Sequence, residues 1–144
     1  MDMEIILASQ SPARKKILSD LGLTFRVVPS HTDESHENLI RPHAIAKRIA
    51  LRKAEVVSQK NPQAWVIAAD TFVVLHDGQL ALKPVDRADA KRILSHLRGS
   101  YCDVYSGLAI LNRFAKKQWV DYEKNSFAFS KIFRSGTGRI SKHK

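Results

Sequence analysis

The sharpest constraint in the sequence is the passage from an apolar run, Ile5-Ile6-Leu7-Ala8, into Ser9-Gln10-Ser11-Pro12 and then Arg14, Lys15 and Lys16. The run reads as a buried strand over residues 4–8. Ser11 suits an N-cap, because its side-chain oxygen can accept from a first-turn N–H, and proline is pre-organised for the first helical position. A strand that turns straight into a helix is a building unit of α/β folds. Cations in the first turns of that helix oppose its macrodipole. Hydroxyls, unsatisfied N–H groups and cations gathered at one turn read as an anion site, phosphate being the anion such a turn suits, or else as an ordinary capped helix with solvated lysines.

The rest of the chain extends the α/β pattern. Residues 12–21 predict a helix stopped by Gly22 at a C′ position. Residues 24–29 predict a second short strand, and residues 30–41, with Asp33-Glu34 in their middle, a polar loop. From Pro42 to Lys60, Ile45, Ile49 and Val56 recur at helical spacing. Residues 64–69 are an apolar run ending at Asp70, which reads as a buried strand with a carboxylate at its C-terminal end. Residues 72–75 continue as strand, Asp77-Gly78 signals a hairpin, and residues 80–82 return into Lys83-Pro84. Asp86 caps a third helix, with Ala90, Ile93, Leu94 and Leu97 on its apolar face and Gly99 at its end. Residues 101–111 and 118–130 read as long neighbouring strands, expected as an antiparallel pair. This order predicts a mixed α/β fold, a mixed central sheet flanked by helices.

After Ser130 the apolar period stops. Residues 131–144 read as a disordered basic tail beside a domain of residues 1–130. At 144 residues and 44% apolar, the chain holds about one domain with a real core. No apolar run reaches membrane-spanning length, and the N-terminus lacks a signal peptide's basic region and cleavage site. The single cysteine, Cys102, excludes an internal disulfide and fits a cytoplasmic protein. The net charge of +10 invites a nucleic-acid partner, but Lys131, Arg134, Arg139, Lys142 and Lys144, with no acid among them, supply half of it. No recognition motif supports nucleic-acid binding.

Asp70 is the central candidate for chemistry. Open α/β sheets bind ligands beyond strand C-termini, and a carboxylate there can hold a divalent metal or orient a water. Taken alone, Lys53, Lys83 and the Asp33-Glu34 pair read as solvated charges, since isolated lysines and acidic loop pairs mostly face water. Neither a G-x-x-x-x-G-K-[ST] phosphate loop nor a dinucleotide fingerprint is present. Cys102 lies mid-strand and reads as core.

Together these pieces resemble the Maf family of nucleoside triphosphate pyrophosphatases. The carriers are the opening L-A-S-Q-S-P-x-R, the A-D-T at Ala69-Asp70-Thr71, Lys83-Pro84, the D-x-x-x-A-x-x-x-L-x-x-L-x-G run from Asp86 to Gly99, and Tyr105-Ser106-Gly107-Leu108. The resemblance covers roughly residues 3–130. It implies the Maf/ITPase-like fold, two-lobed with a cleft and often dimeric, in a cytoplasmic enzyme. It also implies hydrolysis of a triphosphate to the monophosphate and pyrophosphate with a divalent metal, Mg²⁺ or Mn²⁺. Carried over residue by residue, Ser9 and Arg14 would contact phosphate. Glu34, Lys53 and Lys83 would line the same site. Asp70 would be the catalytic acid and, with Glu34, the metal ligand. The A-D-T form is similar to the branch acting on pyrimidine triphosphates, dTTP and UTP. Ala13, Leu82 and Cys102 depart from the family's usual residues. Relatives also continue beyond the strand ending here, so the resemblance implies a C-terminally truncated or frame-shifted member. An inactive remnant that binds nucleotide without hydrolysing it is the alternative function.

Overall fold

The structure is a computed structural model that describes residues 3–32, 41–81, 85–130 and, as backbone, 140–143. The described elements are, in chain order, β1 (Ile5–Leu7), α1 (Pro12–Asp20), β2 (Arg26–Val27), α2 (Pro42–Lys60), β3 (Trp65–Leu75), β4 (Leu80–Ala81), α3 (Arg87–Leu97), β5 (Tyr101–Asn112), β6 (Lys117–Phe129) and β7 (Ile140–His143). The strands hydrogen-bond in the order β2-β1-β3-β5-β6-β7, with β4 paired to β3. β1 runs parallel to β2 and β3, whereas β4 is antiparallel to β3 and β7 to β6. The fold is therefore mixed α/β around a mixed sheet, as the element order predicts. Among the described residues no helix is long and apolar enough to cross a membrane.

The chain divides into two compact units, Met1–Asp70 with Gly107–Tyr122, and Thr71–Ser106 with Glu123–Lys144. In the first unit, α2 buries Ile45, Ala46, Ile49, Ala50, Lys53, Ala54, Val57 and Ser58. That spacing is one stripe of a 3.6-residue helix. Ala50 and Ala54 cluster with Ile6, Ala8, Val66, Ala68, Ala109 and Leu111, and such small residues let helix and strand backbones approach closely. Ile6 and Val66 are fully buried. Each contributes about 1.5–3 kcal/mol by leaving water, which fixes the strands from which the site is built.

Local signals place α1 as the sequence suggests. The Ser11 side chain accepts from Arg14 N, with Pro12 at the helix start. At the other end Gly22 has φ +79, and the N–H groups of Leu21, Gly22 and Leu23 close back onto Ile17, Ser19 and Leu18. That left-handed step is what makes glycine the favoured residue there.

In the second unit, Asp86 caps α3 by accepting from Asp89 N at 2.8 Å, while Asp89 accepts in return from Val85 N. Phe72 stacks on Tyr105 with ring centroids 5.6 Å apart.

Two expectations are corrected. The strand does not end at Asp70: β3 runs on through it to Leu75. Because side chains alternate along a strand, Val66, Ala68 and Asp70 share the buried face, so the carboxylate takes a core position and not a strand tip. The α3 face expected to be packed is only partly covered: no α3 residue is buried, and Leu94 is half exposed. Within the expected basic tail, Ile140–His143 pairs antiparallel with residues 126–129 of β6. An edge strand presents unpaired backbone groups to any neighbouring segment, and backbone pairing needs no apolar period in the segment that joins it.

Candidate active site

The strand-to-helix turn forms one wall of a cavity of about 340 Å³ in the first unit. Ala8, Ser9, Gln10, Ser11, Arg14, Pro29, Ser30, His31, Thr32 and Lys53 line it. That volume lies at the small end of the range for small-molecule sites. Three elements supply the wall: the β1–α1 turn, the segment after β2, and α2.

Ser9 organises the turn. Its Oγ accepts from Ser11 N at 3.1 Å and from an Arg14 guanidinium nitrogen at 3.2 Å. The serine is nearly buried and so holds the arginine against the cavity wall. The first turn of α1 carries no acidic residue. Its N–H groups and the Arg14 guanidinium therefore present positive charge that no acid of that turn offsets, which is the chemistry of an anion site. The cations of the turn divide. Arg14 lines the cavity, whereas Lys16 pairs with Asp20 at 2.8 Å on the exposed side of the helix. Sequence spacing grouped them because consecutive helical residues point about 100° apart, which a linear motif does not show.

Lys53 joins the cavity to Asp70. It lines the cavity, its Nζ lies 3.6 Å from Asp70 Oδ1, and it donates to Ala69 O at 3.4 Å. Both residues are buried, Lys53 at 5% and Asp70 at 2% exposure. Lys53 is therefore not the solvated lysine that helical composition suggests. Asp70 is not itself a lining residue and lies one contact away, through Lys53. Ion pairs this buried often cost more in desolvation than they return in attraction, so stability alone is a poor reason for one. A charged pair set in a cavity wall is a functional-site signal.

The structure thus brings together Ser9, Arg14, Lys53 and Asp70. Glu34 and Lys83, the remaining residues of the sequence-derived set, lie outside the described residues. The sequence reading did not single out Ser30, His31 and Thr32. Thr32 Oγ1 is buried and has no hydrogen-bond partner among the described residues. His31 holds φ +51, an uncommon backbone state for a residue with a side chain, and such states cluster at ligand sites. The available signal was the polar stretch directly after the second strand. Cys102 is buried, as expected of a core thiol, and burial, with Asp103 beside it, pushes its thiol pKa up.

No group of three or more His, Cys, Asp or Glu side chains that could hold a metal occurs among the described residues. Asp70 supplies one buried carboxylate. Mg²⁺ is commonly held by one or two carboxylates together with substrate phosphates, so the donor chemistry fits a hard divalent cation shared with a polyphosphate.

Comparison with known proteins identifies the family. The Maf-like protein family profile matches residues 4–137. The chain belongs to the Maf-like family. The match extends past Ser130, beyond the residues that carry the resemblance in the sequence. Among the Maf-like relatives, a dTTP/UTP pyrophosphatase of Pelotomaculum thermopropionicum is 40% identical over 129 residues, covering 90% of this chain and 67% of that protein. One of Elusimicrobium minutum is 41% identical over 120 residues, covering 83% and 64%. The chain thus spans about two thirds of the length of these relatives. The fold is also similar to that of the HAM1 protein from Coxiella burnetii, with a TM-score of 0.65 at 14% identity over 92% of this chain and 76% of that one.

Proposed function

We propose that the chain is a nucleoside triphosphate pyrophosphatase acting on the pyrimidine triphosphates dTTP and UTP. The observation that carries the reading is the buried Lys53–Asp70 pair set against the Ser9–Arg14 anion wall. The names of the Maf-like relatives support the reaction and the pyrimidine choice.

In this reading the triphosphate lies along the cavity, its oxygens accepting from the Arg14 guanidinium and from the N–H groups at the start of α1. Ser9 keeps the guanidinium oriented. Lys53, paired with Asp70, places a second cation beside the phosphates. The oxygen of a water attacks phosphorus, the bond bridging the α- and β-phosphates breaks, and the products are the monophosphate and pyrophosphate. Asp70 takes up the water's proton or orients that water. Phosphoryl transfer is largely positioning and charge neutralisation, which is what two cations, helix N–H groups and one carboxylate provide. A divalent cation, Mg²⁺ or Mn²⁺, would be held by Asp70 with substrate phosphates and, when bound, neutralises charge on the polyphosphate. Glu34 and Lys83 are assigned to the same site by family motif, as a second carboxylate and a third cation.

The test incubates the full chain with UTP, dTTP and methyl-GTP in Mg²⁺ or Mn²⁺ and measures both products. Equal release of monophosphate and pyrophosphate, fastest with UTP or dTTP, is expected. Nucleotide binding without turnover by folded protein would reject the catalytic reading and favour a binding remnant.

A further inference from the structure

α2 lies backbone-to-backbone against β5 at Gly107. A Cβ added there would stand well inside 3.0 Å of the Ala46 carbonyl and 3.0 Å from Lys47 N. Real Cβ atoms essentially never come that close to backbone, and a backbone carbonyl cannot swing aside as a side-chain tip can. The missing side chain thus lets the main chain of the helix rest on the strand. Ala46, Ala50 and Lys53 share one face of α2, all buried, with Lys53 two turns beyond Ala46. The height of the helix above the strand at Gly107 therefore sets how far Lys53 must reach. Its contacts at 3.6 Å to Asp70 Oδ1 and 3.4 Å to Ala69 O are already long. Restoring ordinary separation around a new Cβ requires the helix to retreat by about 1 Å or more, which carries both contacts out of range.

We infer that Gly107 is a positioning residue for the Lys53–Asp70 pair, fixing the ammonium at its working distance by permitting direct helix-to-strand backbone contact. The inference rests on the proposed function for its catalytic consequence, but its geometry is measurable without turnover.

The experiment is reductive methylation of the folded full chain with formaldehyde, with modification followed lysine by lysine by mass spectrometry. Wild-type Lys53 reacts slowly because it is buried and paired, while Lys16 on the surface reacts fast. In Gly107→Ala, Lys53 is expected to react at least fivefold faster with the Lys16 rate unchanged. An unchanged Lys53 rate in folded Gly107→Ala overturns the inference. Should Gly107→Ala fail to fold, Ala50→Ser, which adds one atom to the same buried face, is expected to raise the Lys53 rate at least twofold. An unchanged rate in that variant is equally fatal. In the activity assay, Gly107→Ala should lower kcat about tenfold, and Lys53→Arg in that background should recover part of the loss through its longer side chain. The same Lys53→Arg change in the wild-type background should lower kcat. A merely structural glycine would show no such reversal. A chain that hydrolyses no nucleotide defeats the catalytic reading, and the labelling rates still decide the positioning.

Discussion

Lys53 Nζ stands 3.6 Å from Asp70 Oδ1, with the two side chains only 7% and 3% exposed. A rim carboxylate could be neutralised at no cost to the fold. This one cannot, because Asp70→Asn leaves the ammonium buried against a neutral amide. Breaking a buried pair from one side costs about 3–5 kcal/mol. Urea unfolding of Asp70→Asn should show a loss of about that size. Lys53→Met with Asp70→Asn should lose clearly less than the sum of the single changes, because the double variant strands no charge. Strict additivity would mean that the pair is not an energetic unit.

Arg14 is held at 3.2 Å by Ser9 Oγ and lines the cavity. Arg14→Ala should raise the KM for UTP about tenfold, equivalent to about 1.4 kcal/mol. Arg14→Lys should recover only part of this, since an ammonium lacks the planar fork that matches phosphate oxygens. Steady-state kinetics at fixed ionic strength provide the check, and a KM unchanged in Arg14→Ala would remove the residue from the site.

Thr32 makes an unusual prediction, because its effects on binding and stability should differ in sign. Its Oγ1 is buried without a hydrogen-bond partner among the described residues, and Thr32 lines the cavity proposed for the nucleotide. Thr32→Val keeps the shape and removes the hydroxyl. The melting temperature should hold or rise, while the KM for nucleotide rises about fivefold. A fall in melting temperature with an unchanged KM would show the hydroxyl to be structural.

Much of this site was legible before any coordinates. The Ser11 cap, the Gly22 stop and the apolar stripe of α2 are local signals, and each sits where spacing puts it. Ser9 and Arg14 were legible for the same reason, since they lie within one turn of each other. What spacing could not show was burial. Whether Lys53 faces water depends on which side of α2 meets the sheet, and whether Asp70 ends a strand depends on β3 continuing through Thr71. The wall after β2 escaped notice because polar loop residues carry no period. The pairing of β7 with β6 escaped notice because a backbone ladder needs no side-chain pattern.

Cys102 predicts an alkaline slope. Burial, first, and the neighbouring Asp103 raise its thiol pKa above the ordinary 9.0. In the unfolded chain the thiol ionises at its ordinary value, so above pH 9.0 the unfolded state holds fewer protons than the folded one and stability falls with rising pH. Below that pH the contribution is fully present. Urea midpoints between pH 8 and 10 should decline in the wild type and decline less in Cys102→Ala. Equal slopes in the two proteins would contradict the assignment.

The most direct test sets Asp70→Asn beside the wild type in one experiment, with UTP turnover in Mg²⁺ measured together with affinity for a non-hydrolysable UTP analogue in the absence of divalent cations. A carboxylate that serves the reaction next to a separate anion wall predicts turnover lowered at least 100-fold, about 2.7 kcal/mol of transition-state stabilisation, with affinity held within fivefold. Turnover retained in folded Asp70→Asn would contradict that division of labour between Asp70 and the Ser9–Arg14 wall.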